Sequence, residues 1–177
     1  NQNWNMEARG GLQNLARSPE WRGTIARVDA DGRLNFKLTE AASLQASQHQ
    51  VLLERFNLAL AGGSIAIEQF LRNERGITTR GRIARLPVSE LLRYAAPEAP
   101  VNTDLTVGGE WDLRMTGRID GNINLRRESG DIAMLSNTSA RLGLTTLTMT
   151  GAANNGRLAL RLLAEGSKPG RIAVDLD

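Results

Sequence analysis

The chain has 177 residues and a formal net charge of +3, from 22 basic and 19 acidic residues. It contains no cysteine, which excludes disulfides, a thiol nucleophile and thiolate metal sites. No apolar run approaches the roughly 18 to 20 residues that a membrane-spanning helix needs.

Among the basic residues only Lys37 and Lys168 are lysine. The arginines alternate with apolar residues instead of clustering, so nucleic acid is not an expected partner. Arg80, Arg82 and Arg85 lie near one another, and on a strand Arg80 and Arg82 share one solvated face. The chain opens without a methionine and stops inside the alternating run Ile172-Ala-Val-Asp-Leu-Asp. This predicts a segment excised from a longer protein.

Residues 3–9 alternate, with Trp4, Met6 and Ala8 against Asn5, Glu7 and Arg9, and Gly10-Gly11 is expected to break the run. Residues 12–20 fit no single element, and Pro19 predicts a turn before Trp21. Residues 21–29 predict a strand with apolar residues on both parities, closed by the turn Asp29-Ala30-Asp31-Gly32. Leu34, Phe36 and Leu38 then alternate with Asn35, Lys37 and Thr39. Residues 40–50 could form a helix by propensity, but the β pattern on both flanks predicts a strand. Strands follow over 51–61, 64–71 and 77–85, separated by Gly62-Gly63 and by Asn73-Glu-Arg-Gly. Pro87 opens the one helical pattern, in which Val88, Leu91, Leu92 and Ala95 fall at i, i+3, i+4 and i+7. Pro97 and Pro100 stop it, which predicts a β block over 1–86, a helix and linker over 87–100, and a second β block of the same domain over 101–177.

The clearest period-two pattern runs from Leu105 to Leu125. Trp111, Leu113 and Met115 oppose Asp112, Arg114 and Thr116, and beyond Gly117 residues Ile119, Ile123 and Leu125 oppose Arg118, Asp120, Asn122 and Asn124. Residues 126–131, Arg-Arg-Glu-Ser-Gly-Asp, predict a polar turn, and 131–135 a short strand. The apolar parity changes between Leu144 and Leu147, which predicts a bulge near Thr145. Asn154-Asn155-Gly156 carries hairpin chemistry, Leu158, Leu160 and Leu162 follow, and Gly166–Gly170 turns into Ile172, Val174 and Leu176. About ten to twelve strands and one helix place the chain in the mainly antiparallel β class.

Chemical motifs are sparse. One histidine, His49, cannot form a two-histidine metal site and is expected on an exposed strand. The phosphate-binding patterns Gly-x-x-x-x-Gly-Lys and Gly-x-Gly-x-x-Gly and the nucleophile pattern Gly-x-Ser-x-Gly are missing. Asp29 with Asp31, and Glu128 with Asp131, are expected to be turn residues rather than acid–base pairs or calcium ligands. The expected protein is not an enzyme and carries neither cofactor nor metal.

Three stretches resemble a known family. Trp111-Asp-Leu-Arg followed by Leu125-Arg-Arg-Glu-Ser-Gly-Asp-Ile resembles the core of the TamB-type proteins of the AsmA-like superfamily. Gly76 to Leu92, ending Ile83-Ala-Arg-Leu-Pro-Val-Ser-Glu-Leu-Leu, is similar to that family's recurring strand followed by a helix. Leu142-Gly-Leu through Gly156-Arg-Leu to Gly170-Arg-Ile is similar to its following hairpins. Residues 1–49 match by pattern alone. The resemblance implies a slice of a long periplasmic protein of Gram-negative bacteria, anchored in the inner membrane by an N-terminal helix. It implies an outer-membrane barrel partner, TamA, met through the parent's C-terminal region. It also implies an elongated antiparallel sheet curled into a U-shaped open trough that carries phospholipid between the membranes.

Apolar-in, polar-out strands set side by side make one continuous apolar face. Closed on itself it would be a sandwich core about 10 Å thick; held open it must bind something apolar. Aromatics are 4% of the chain, so the wall is mostly aliphatic and suits phospholipid acyl chains. A scaffold for inserting outer-membrane proteins, holding their unfolded strands, is the alternative. The expected lining is Leu34, Phe36, Leu58, Leu60, Ile65, Ile67, Leu105, Val107, Trp111, Leu113, Met115, Ile119, Ile123, Leu125, Leu147, Met149, Leu158, Leu160 and Leu162.

Overall fold

A computed structural model describes residues 2–32, 35–60, 62–96, 98, 101–134 and 140–176. In chain order the elements are β1 (Asn3–Gln13), β2 (Glu20–Asp31), β3 (Phe36–Leu38), β4 (Ala42–Ser47), β5 (Gln50–Leu60), β6 (Gly63–Asn73) and β7 (Gly76–Pro87). There follow α1 (Val88–Ala95), β8 (Val101–Thr103), β9 (Thr106–Met115), β10 (Ile119–Ser129), β11 (Ile132–Met134), β12 (Leu144–Asn154), β13 (Arg157–Gly166) and β14 (Gly170–Leu176).

Twelve strands form one sheet along the path β1-β2-β3-β5-β6-β7-β9-β10-β12-β13-β14, and β4 pairs with β2 and β5. Neighbours on this path pair antiparallel throughout. The order follows the sequence, as short turns dictate. β3 and β4 lie end to end in one slot between β2 and β5. The gap between them is bridged by Thr39, whose N–H donates to the Asn57 carbonyl at 2.9 Å, and by Asn57, whose amide donates to Glu40. β8 and β11 form a separate two-stranded ribbon.

Bulges let the apolar parity survive along the strands. The register shifts in β2 opposite Glu7/Ala8, in β6 between Ile67 and Gln69, in β7 between Ile83 and Leu86, in β10 between Arg127 and Ser129, and in β12 between Leu144 and Thr146. The last is the bulge expected at Thr145. Each extra residue turns the following side chains back to the face they would have left.

Several boundaries differ from the sequence expectation. β1 continues through Gly10-Gly11 because the Trp21 ring of β2 lies over Gly10 and Gly23 and replaces the missing side-chain packing. β2 runs to Asp31, so the turn begins later than expected. β10 runs to Ser129, four residues into the expected turn. Pro87 is the last residue of β7 and caps α1 in an extended conformation, with φ −69° and ψ 121°, instead of occupying its first turn. β7 pairs directly with β9, so the two expected β blocks share one sheet.

A compact 19.3 kDa monomer exposes about 8,500 Å². This chain exposes 11,708 Å², and none of its described large side chains is fully buried. Among the described residues a packed cluster lies at the β3/β4 break, where Ile25, Val28, Leu38 and Ala42 are buried against Phe36, Leu44, Leu53, Phe56 and Leu58. A curled trough is compatible with this surface. Among the described residues no helix is long and apolar enough to cross a membrane.

Candidate binding groove

In an antiparallel ladder, residues that pair across strands point to the same face. The pairing therefore assembles the groove directly. One row runs Leu38, Leu58, Ile65, Ile83, Gly109, Leu125, Met149, Leu162, Val174, one residue from each of nine strands. A second runs Phe56, Ile67, Gly81, Trp111, Ile123, Gly151, Leu160, Leu176. A third runs Leu44, Leu53, Phe70, Thr79, Leu113, Gly121, Ala153, Leu158. Toward the strand ends Ile77, Met115 and Ile119 align, as do Trp4, Ala30, Phe36 and Leu60. Leu147 lies opposite Ala164 and Ile172, and Val107 lies between Leu86 and Arg127.

Seventeen of the nineteen expected lining residues thus share one face. Leu105 is a correction: it sits in the link between β8 and β9, 2% exposed, and its carbonyl accepts the Val88 N–H at the start of α1. It is a buried anchor of the helix and not part of the ladder. Leu34 lies outside the described residues. The face also contains residues that the expected lining omitted, among them Trp4, Met6, Ile77, Ile83, Phe70 and Val174. Trp4, Met6 and Val174 carry that signal in their own alternation, whereas Ile77, Ile83 and Phe70 join the face through pairing register.

The glycines on this face are covered by neighbours. A Cβ on Gly81 would meet the Trp111 ring at 2.5 Å, one on Gly109 the Leu125 Cδ2 at 2.7 Å, and one on Gly151 the Leu160 Cδ2 at 2.9 Å. Large side chains lie flat over these gaps, and the Trp111 Nε1–H is satisfied by Thr79 Oγ1 at 3.2 Å. The resulting wall has few directional polar groups. It is most exposed at its two ends, with Trp4 68%, Met6 69%, Leu158 52% and Leu176 59% accessible.

The opposite face is charged and internally paired. Arg80 and Arg82 stand across from Asp112 and Glu110, Arg161 reaches Asp175 at 3.5 Å, and Arg171 reaches Glu165 at 3.4 Å. A concavity of about 640 Å³ lies at one end of the sheet, lined by Arg27, Asp29, Lys37, Ser64 and Arg85 together with the groove residues Phe36 and Leu60. Asp29 there is engaged by Arg27.

The charged string at 126–131 proves to be a set of loop staples. Arg127 donates to the carbonyls of Gly130 at 2.9 Å and Thr145 at 3.3 Å. Glu128 accepts the Arg85 N–H at 2.7 Å, where Arg85 has φ 49° at the β7 bulge. Asp131 accepts the N–H groups of Gly143 (2.7 Å), Ile132 (2.8 Å) and Leu144 (3.1 Å), and Asp104 accepts those of Asp131 at 2.7 Å and of the Arg141 guanidinium at 3.1 Å. Burial opposes the charge on Asp131, but the three amide donors and Arg141 outweigh it and hold its pKa below the ordinary carboxylate value. The Asp131 amide likewise holds Asp104 low. These carboxylates are committed to backbone amides. His49 lies in the turn between β4 and β5, not on a strand, and its Nδ1 meets Glu74 at 2.6 Å.

The chain matches no protein-family model, no curated protein and no solved structure.

Proposed function

We propose that this chain is a slice of a periplasmic trough that carries phospholipid acyl chains along its apolar face, as the resemblance to TamB-type proteins implies. The observation that supports the reading is the predominantly apolar face that spans the sheet row by row; among the described residues the one helix, α1, packs mainly against β8, outside that sheet. An aliphatic wall holds a chain by area, at about 25 cal/mol per Å² covered. Along each row, equivalent positions repeat about 4.8 Å apart from strand to strand. An acyl chain lying along a row therefore gives up one position as it gains the next, and can slide without a deep trap. Headgroups would stay in water at the charged strand ends. In the full-length parent the N-terminal anchor and the TamA partner would place the two ends of the trough at the two membranes.

Mass spectrometry of lipids extracted from the purified chain, paired with site-specific photo-crosslinking in cells, tests this. Crosslinkers at Leu113 and Leu160 should capture phospholipid, and crosslinkers at Arg114 and Arg161 should not. Capture of residues of the same chain alone from the inward positions would make the face a closed core. Displacement of bound lipid by an extended β-strand peptide would move the reading to a scaffold for outer-membrane proteins.

A further inference from the structure

We propose that Arg72, at one rim of the groove, holds the phosphate of a phospholipid whose tail lies on the apolar face. The proposal rests on the lipid reading above and adds the side chain that selects a phosphate-bearing head. Its starting point is a break in the apolar pattern. In β6 residues Ile65, Ile67, Phe70 and Arg72 share the groove face, because the bulge between Ile67 and Gln69 resets the parity. Pairing sets Arg72 between Val51 of β5 and Ile77 of β7, in line with Met115 and Ile119. Each of these strands has a neighbour on both sides, so the position lies within the sheet and not on its outer edges.

Arg127, another arginine paired into the groove rows, is already committed to the carbonyls of Gly130 and Thr145. Arg72 is exposed, and among the described residues its guanidinium has neither an ion-pair nor a hydrogen-bond partner. The carboxylate of Glu74 on the same rim is engaged by His49 Nδ1 at 2.6 Å. A concavity of about 240 Å³ opens here, lined by Arg72 and Val51 together with Ser47, His49, Asn73 and Glu74. The turns beside it are tied by their own side chains. Ser47 Oγ accepts the N–H groups of His49 at 3.3 Å and Gln50 at 3.1 Å, and Asn73 Oδ1 accepts that of Arg75 at 2.9 Å. An arginine on an apolar wall lays its stem along its neighbours and offers its planar fork at the water's edge. That fork matches two phosphate oxygens. A tail on Val51, Phe70 and Ile77 with a phosphate on Arg72 satisfies both halves of the site, whereas a neutral head leaves the guanidinium to water.

Dodecylphosphocholine and dodecyl maltoside share one tail, and only the first carries a phosphate. Calorimetric titration of the full chain, below the micelle concentration of each detergent, should show both binding. Arg72→Gln should weaken dodecylphosphocholine by about tenfold, the scale of a charge-assisted hydrogen-bonded contact. It should leave dodecyl maltoside within about twofold. Arg72→Lys should recover part of the loss, since it keeps the charge without the fork. Arg114→Gln, on the opposite face one residue from Met115, should change neither. Arg72 and Arg114 are both exposed, and circular dichroism will show that the variants keep their strands. Equal loss of both detergents in Arg72→Gln, or no loss of either, would overturn the proposal and leave the groove reading in place. Displacement of dodecylphosphocholine by inorganic phosphate at equal concentration would overturn it too, by marking a plain anion site. If neither detergent binds the unmodified chain, the lipid reading falls and this proposal with it.

Discussion

Trp111 faces a glycine across the strand, and that pairing sets how the groove wall is made. Its ring lies where a Gly81 side chain would be, with its indole N–H on Thr79. Gly81→Ala forces a Cβ within 2.5 Å of the ring and should lower unfolding free energy by about 1–3 kcal/mol. Gly11→Ala is the contrasting case, since nothing lies within 4 Å of the added atom. It should leave stability unchanged or raise it by about 0.4–1 kcal/mol through the unfolded chain. Urea denaturation of the two variants separates packing from strand propensity. Asp131 supplies a second test at the same scale. Asp131→Ala leaves three amides without their acceptor and should cost about 1–3 kcal/mol. The pH dependence has a definite sign. A carboxylate whose folded pKa is depressed stabilises the fold above its unfolded value, about 3.9, and loses that contribution as pH falls through the folded value. The wild type should therefore lose stability below about pH 4, and Asp131→Ala should show a shallower loss over the same range.

Strand identity was legible wherever one strand's own alternation carried it. β9 and β10 emerge directly from the parity of Trp111 to Leu125, the Thr145 bulge from the odd spacing of Leu144 and Leu147, and the β12–β13 turn from Asn155 and Gly156, which take φ 55° and 82°. What the alternation did not contain was information held by a partner strand. Gly10 and Gly11 look like a break until Trp21 is placed beside them. Arg126 to Ser129 look like a turn because the strand there carries only polar residues, with Arg126 opposite Gly108 and Ser129 opposite Thr106. Leu105 has the parity of Val107 but stands one residue before the ladder, where it anchors the helix. The groove residues were legible as a set because bulges preserve parity. Their neighbours across the face became visible only once register was known.

At the scale of the whole molecule, the question is whether the surface beyond that of a compact protein, about 3,200 Å² by the size scaling of monomers, is a binding surface or an unfinished core. Parity decides it. Leu113 and Ile123 belong to the groove rows, whereas Arg114 and Asn122 are their neighbours in sequence on the opposite face. A carboxylate on the groove side must shed water when an acyl chain covers it, and one on the outer side keeps its hydration. Leu113→Asp and Ile123→Asp should therefore reduce phospholipid recovered with the chain by about tenfold or more, the consequence of a penalty of a few kcal/mol. Arg114→Asp and Asn122→Asp should leave recovery within about twofold, since surface changes of this kind cost about 0.5 kcal/mol or less. Charge within a packed core would also unfold the sheet, so the same variants are compared for thermal midpoint without lipid. In a solvent-exposed groove the inward variants lose lipid while keeping their midpoint within a few degrees of the outward pair. In a closed core the midpoint falls for the inward pair whether or not lipid is present. Equal loss of lipid at both parities, at equal stability, would separate lipid binding from this face altogether.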